Sequence, residues 1–205
     1  ASPKTQSALL EAMEEARVTV DGVTYDIPDP FMVIATQNPT GYVGTYPLPE
    51  AQLDRFALKI NMGYPSQEDE LNILRARRGE NPLDRVAEVI SADDVRELRR
   101  EAASVEVDEE LYRYIVQLIA ATRKHPSLAL GASPRASVAL MRLSQAYALI
   151  RGRAYVLPED IGAIFRSAIA HRLMLRQEAK LRGVRADDVL GEILRTVTVP
   201  YKGKR

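Results

Sequence analysis

FMVIATQNPTGYVGTYPLPEAQLDRF, residues Phe31 to Phe56, places an apolar run, a polar tip and a lone arginine within one short span, and the rest of the chain frames it. Phe31-Met32-Val33-Ile34-Ala35 is five apolar residues stopped by Thr36-Gln37-Asn38-Pro39. Such a run bounded by turn residues reads as a strand buried on both faces, with its last residues pointing out of the core. Pro39 biases Asn38 toward extended backbone, which presents the Asn38 amide at the strand's carboxyl end, where open parallel sheets place ligands. On spacing alone, Asn38 as the start of an ordinary turn explains the pattern as well. Gly41 to Pro49 is too rich in Gly and Pro for regular structure and reads as an ordered surface loop. A short helical turn, Glu50 to Asp54, then delivers Arg55 to the rim of a second expected strand, Phe56 to Met62, whose even positions are apolar.

Working outward, Ser2-Pro3 opens a helix in which Ala8, Leu9, Ala12 and Met13 form the expected buried stripe, with Glu11, Glu14 and Glu15 opposite. Two alternating strands, Arg17 to Val20 and Val23 to Ile27, flank Asp21-Gly22, the strongest short-range signal for a hairpin. After Met62-Gly63-Tyr64-Pro65 the periodicity changes from two to 3.6, which predicts two domains, 1–63 and 64–205. Ser66 to Asp69 and Ser91 to Asp94 are capping-box starts for helices over about 67–79 and 92–103. Asp108 caps a third, with Leu111, Ile115, Leu118, Ile119 and Thr122 on one face and an end near His125-Pro126. Ser133-Pro134 opens a fourth, apolar on nearly every side and so expected at the centre of a bundle, with Gly152 as its stop. A fifth starts at Pro158-Glu159-Asp160, and a weaker sixth covers about 187–197.

The 205 residues carry 28 basic and 28 acidic side chains, so no net field steers the chain toward nucleic acid or an anionic membrane. The absence of cysteine excludes disulfides and thiolate metal sites. His125 and His171 lie in no zinc-binding pattern. No stretch approaches the ~18 apolar residues of a membrane span, and a soluble, cytoplasmic protein is expected. Phosphoryl transfer needs a phosphate cradle, a metal-holding carboxylate and cations for developing charge. No GxxxxGK[ST] occurs, and Asp93-Asp94, Asp108-Glu109 and Asp187-Asp188 all sit at helix starts, where capping explains them. The cations are present. Arg135, in the first turn of its helix, opposes the macrodipole unless an anion lies near, so it is either a phosphate ligand or a surface ion pair. Arg55 is equally open, since a rim arginine after an aspartate is usually an ion pair.

Ile34-Ala35-Thr36-Gln37-Asn38-Pro39, followed by Pro47-Leu48-Pro49-Glu50-Ala51-Gln52-Leu53-Asp54-Arg55-Phe56, closely resembles the second half of the nucleotide-binding domain of MoxR-family AAA+ ATPases. The resemblance continues through Gly131-Ala132-Ser133-Pro134-Arg135-Ala136 and runs from Ala1 to about Pro200. It implies the α/β end of an AAA+ P-loop NTPase core followed by an all-α helical-bundle lid. It further implies that Asn38 is sensor 1, Arg55 the arginine finger and Arg135 sensor 2, with the hairpin facing the pore of a ring. The cofactors implied are ATP and Mg²⁺, held mostly by a P-loop and a Walker B strand that would lie before Ala1, so the chain alone is expected to be inactive. The partners implied are a homo-oligomeric ring, often a hexamer, and proteins bearing von Willebrand factor A domains, with remodelling or maturation of such partners as the function. Two rivals remain at this level. One is a non-enzymatic helical interaction or DNA-binding module using arginines 135, 142, 151, 153, 166, 172 and 176; the other is a chelatase or helicase-loader type of AAA+ protein.

Overall fold

The computed structural model describes residues 3–37, 48–77 and 81–200. Helix α1 (Pro3–Glu15) leads into a two-stranded antiparallel hairpin, β1 (Arg17–Val20) and β2 (Val23–Asp26). Asp21 and Gly22 both take positive φ, 51° and 81°, as a two-residue turn matched to the twist of the strands requires. Arg17 pairs with Asp26 at 2.8 Å across the open end, and Thr19 and Thr24 share a hydroxyl hydrogen bond. Both faces of the hairpin are exposed, Val20, Val23 and Tyr25 included. In α1 the stripe differs from expectation: Leu10 and Ala12 are buried and Met13 half-buried, while Ala8 and Leu9 face solvent.

Two expected strands do not form. Phe31 to Ala35 and Phe56 to Met62 are irregular, with Met32 74% and Ile34 81% exposed. A strand exists only by pairing its backbone, and no strand lies beside either segment among the described residues. Periodicity reports which faces want burial; it does not supply the neighbour. The first segment is held from the side by α4 (Ala92–Ser104): Arg99 Nη1 donates to the Asp29 carboxylate at 2.8 Å and Arg96 Nε to the Asp29 carbonyl at 3.1 Å. The second is tied at Lys59, whose backbone N–H donates to the Ser167 carbonyl at 2.9 Å.

From residue 66 onward the helix expectations hold closely. After the short α2 (Glu50–Leu53), α3 (Gln67–Ala76) and α4 each start with the full capping box, Ser66 with Asp69 and Ser91 with Asp94. The hydrogen bonds from Ser91 hold the Asp94 carboxyl below its usual range. Helix α5 (Glu109–Lys124) buries Leu111, Ile115, Leu118, Ile119 and Thr122, plus Tyr114, whose phenol burial pushes up. Helix α6 (Pro134–Ile150) packs against α4, α5 and α7 (Pro158–Ile169) and is the centre of the bundle. Helix α9 (Ala186–Thr196) completes the core with Val189, Leu190 and Ile193. A small antiparallel pair, β3 (Leu128–Leu130) and β4 (Met174–Leu175), and the short α8 (Gln177–Leu181) have no counterpart among the expected elements. Short 3₁₀ turns, Pro82–Arg85 and Ala170–Arg172, were likewise unannounced. No helix among the described residues is long and apolar enough to cross a membrane.

The turn from α6 to α7 is locked by a buried ion pair. Gly152 takes φ 71°, and Arg153 Nη1 and Nη2 then reach Asp160 Oδ2 and Oδ1 at 2.7 and 2.5 Å. Asp160 also accepts from the Leu157 backbone N–H at 2.8 Å, so one carboxylate closes the turn and caps α7. Burial alone would raise the Asp160 carboxyl, but hydrogen bonds from Arg153 and Leu157 outweigh it and hold the group low. A depressed folded-state pKa stabilises the fold above the unfolded value of about 3.9 and is lost as pH falls through the folded value. Asp160→Asn should therefore lower the thermal midpoint by roughly 5 °C at neutral pH and flatten the pH dependence of stability below about pH 4, as read by circular dichroism melts.

Candidate functional site

Three separated pieces of sequence meet where α1, the 54–57 segment and α6 converge. Asp54 and Arg55 follow α2, and the chain there is held by Arg172 at the end of the 3₁₀ turn after α7. The Arg172 side chain is only 3% exposed and is fully engaged. Its Nη1 donates to Asp54 Oδ1 at 2.8 Å, its Nη2 to the Phe56 carbonyl at 2.8 Å and its Nε to the Ala168 carbonyl at 2.9 Å. Burial pulls the Arg172 pKa down while Asp54 opposes the shift. His171 adds a donor to the same Phe56 carbonyl at 2.9 Å, so Nε2 carries its proton. Burial, above all, keeps the His171 pKa below the ordinary value.

The start of α6 is placed with equal tightness. A Cβ on Gly131 would come within 2.6 Å of the Arg123 backbone, so only glycine lets the chain pass α5 here. Thr122 Oγ1 accepts from the Ala132 N–H at 3.0 Å, and Arg123 Nε donates to the Ala132 carbonyl at 2.9 Å. Ser133 occupies the cap position of α6 without capping it; its hydroxyl donates to Asp54 Oδ2 at 3.0 Å instead. Asp54 thus joins Arg172 and Ser133, and fixes Arg55 relative to Arg135.

Arg55 and Arg135 share one carboxylate. Arg55 Nη2 lies 3.0 Å from Glu14 Oε2, and Arg135 Nη1 lies 3.3 Å from Glu14 Oε1. The three residues border a cleft of about 410 Å³ that is also lined by Asp54, Arg142 and Arg172. Arg135, Val138, Ala139 and Arg142 fall at i, i+3, i+4 and i+7, one face of α6, and form its wall. With Arg172 spent on Asp54, the three cations Arg55, Arg135 and Arg142 face the single Glu14 carboxylate and suit a polyanion. They do not suit Mg²⁺: no group of three or more His, Asp or Glu among the described residues could hold a metal ion.

Of the three expected site residues, Arg55 and Arg135 are brought together, and Asn38 lies outside the described residues, as does most of the Gly- and Pro-rich loop. Glu14, Asp54, Arg142 and Arg172 were missed as site residues. The helical spacing from Arg135 to Arg142 was a readable signal. Nothing in the sequence marked the pairing of Asp54 with Arg172.

The family model for the ATPase family associated with various cellular activities matches residues 1–58, and that for the AAA lid domain matches residues 120–193. The YeaC protein of Bacillus subtilis (strain 168) is 52% identical over 201 residues, covering 98% of this chain and 63% of the relative. Chaperone MoxR1 of Mycobacterium tuberculosis is 42% identical over 209 residues, covering 98% of this chain and 55% of the relative. A crystal structure from Cytophaga hutchinsonii superposes with a TM-score of 0.91 at 40% identity, covering 98% of this chain and 63% of that one. The fold is that of the end of an AAA+ core with its helical lid. This chain belongs to the MoxR family of AAA+ ATPases, and it spans 63% and 55% of the length of those two curated relatives.

Removing the acceptor while leaving the buried cation is the costly change at such a pair. Asp54→Ala should lose about 3 kcal/mol or more in chemical denaturation, and adding Arg172→Met should restore part of that loss. A double variant as unstable as the sum of the two single ones would show that the pair is not coupled.

Proposed function

We propose that the chain supplies sensor 1, the arginine finger and sensor 2 of a longer ATPase that couples ATP binding and hydrolysis to chaperone-like remodelling of partner proteins. The observation that carries this reading is the meeting of Arg55 and Arg135 on one carboxylate at the edge of one cationic cleft. Two guanidinium groups that converge on a carboxylate can converge on a phosphate, whose developing charge in phosphoryl transfer they would stabilise. Because both face one cleft, both serve the same phosphate. If Arg55 is a finger reaching the adjoining subunit's nucleotide, Arg135 acts there too, in trans. Asn38 orients the γ-phosphate or the attacking water in its own subunit.

In a protein of the relatives' length, Phe31 to Ala35 and Phe56 to Met62 would pair with further strands of the core, and residues 1–63 and 64–205 would be the core end and the lid. The core cluster, drawn from Val105 to Ile193, supports that division. The P-loop and the Mg²⁺ ligands belong to the rest of that protein, and this chain supplies the Asn38 amide and the cations of Arg55 and Arg135. The assembly is a homo-oligomeric ring, a hexamer by family resemblance, that works in the cytoplasm on proteins with von Willebrand factor A domains. The DNA-binding alternative loses support because Arg153 and Arg172 are spent on Asp160 and Asp54 and so form no free basic face.

The chain alone should show no ATP turnover above background, since cradle and metal ligand are both missing from its sequence. Mg²⁺-dependent hydrolysis by the purified 205 residues would refute this. In the full-length protein Asn38→Ala should leave nucleotide affinity nearly unchanged and slow turnover by roughly 10²; equal losses in both would make Asn38 a turn residue.

The finger is tested by mixing full-length Arg55→Ala subunits with subunits whose P-loop lysine is replaced. Each homomer should be dead, fingers being worth on the order of 10³ to 10⁵ in rate, and mixed rings should regain activity where an intact finger meets an intact P-loop. Mixed rings that assemble and stay dead would return Arg55 to a surface ion pair.

A further inference from the structure

Glu14 stands at the unfavourable end of its helix. An acid in the last turn of α1 faces the negative pole of the macrodipole, and that turn holds no lysine or arginine of its own. The carboxylate is held instead by two guanidinium groups from distant parts of the chain, one on each oxygen: Arg55 at 3.0 Å and Arg135 at 3.3 Å. An anion gripped between two arginine forks is also the geometry in which a phosphate is gripped.

The grip is weak. The side chains of Glu14, Arg55 and Arg135 are 38%, 28% and 65% exposed. Ion pairs of that kind shift an equilibrium by less than roughly a factor of ten. Glu14 also leaves the cleft under-neutralised. Arg172 is matched by Asp54, whereas Arg142, on the same wall as Arg135, has no acidic partner among the described residues. A ligand with two negative charges suits this wall better than a glutamate with one.

We infer that Glu14 is a displaceable internal ligand: it holds Arg55 and Arg135 together in the absence of a phosphate, and it yields to one. The inference rests on the reading that these two arginines serve a phosphate. Glu14 acts through the arginines, which makes it a positioning residue. It keeps the two cations facing each other at a shared spacing although their mutual repulsion would part them. It also sets a threshold, since an arriving anion must outcompete it. No bond is made or broken in the exchange. The carboxylate swings away by rotation of a partly exposed side chain, with the helix backbone left in place.

The test is calorimetric titration of the 205-residue chain with inorganic phosphate at constant ionic strength and near-neutral pH. Glu14→Gln should bind inorganic phosphate roughly three- to fivefold more tightly than the parent chain, because the competing charge is gone. Glu14→Ala, which cannot pair at all, should show the same rise, and adding Arg55→Ala to Glu14→Gln should abolish it. A purely structural Glu14 would move the thermal midpoint and leave phosphate affinity equal or lower. That result overturns the inference, as does a rise that survives Arg55→Ala, or phosphate binding undetectable in all the folded variants. The phosphate reading itself is judged separately: full ATP turnover by Arg55→Ala rings defeats it, whereas dead Arg55→Ala rings with no gain in Glu14→Gln defeat only the role given to Glu14.

Discussion

A guanidinium stripped of water has to find acceptors in fixed directions, and Arg172 finds them in Asp54, in the Phe56 carbonyl and in the Ala168 carbonyl. Two of those acceptors belong to the segment that carries Arg55. The end of the core and the helical bundle are therefore joined at a point where neither could drift without exposing an unpaired buried charge. Ser133 completes the joint by giving its hydroxyl to Asp54 in place of its own helix. The beginning of α6, and Arg135 with it, is thus referred to the same carboxylate.

This joint explains how side chains far apart in sequence come to share a cleft. Gly131 brings the chain close past α5, Asp54 receives the start of α6, and the regular rise of the helix then lines Arg135, Val138, Ala139 and Arg142 along one wall. Glu14 reaches the same cleft from α1. Electrostatically the cleft is a balance left incomplete: two acids answer some of the cations, and the remainder is what an incoming polyanion would meet.

The rest of the molecule divides by how its stability is obtained. The bundle formed by α5, α6, α7 and α9 buries a continuous apolar cluster, with Phe165, Leu140 and Leu118 fully enclosed. The earlier part buries little. The hairpin shows both faces to solvent, and the segment after it is held chiefly by Arg96 and Arg99 gripping Asp29. Exposed contacts of that kind contribute little each, so this part of the chain leans on what packs against it far more than the bundle does.

The helices of the bundle were legible because their signals are local. Ser66 with Asp69, Ser91 with Asp94, Asp108, Pro134 and Pro158 mark starts through hydrogen bonds and φ preferences within a single turn, and the 3.6 periodicity states which face is buried. The Asp21-Gly22 turn was legible for the same reason. The family blocks around Asp54-Arg55-Phe56 and Gly131 to Ala136 pointed to two of the site residues, Arg55 and Arg135. Strand status at Phe31 to Ala35 and Phe56 to Met62 was not legible, because a strand is a relation between segments and its apolar pattern appears whether or not a neighbour is present. Nor could any local signal show that Asp54 pairs with Arg172, that Ser133 abandons its own cap, or that Glu14 stands between Arg55 and Arg135. Those are contacts across long stretches of chain. They are decided by which charged groups lose their water together when the bundle closes, and only the tertiary structure specifies that.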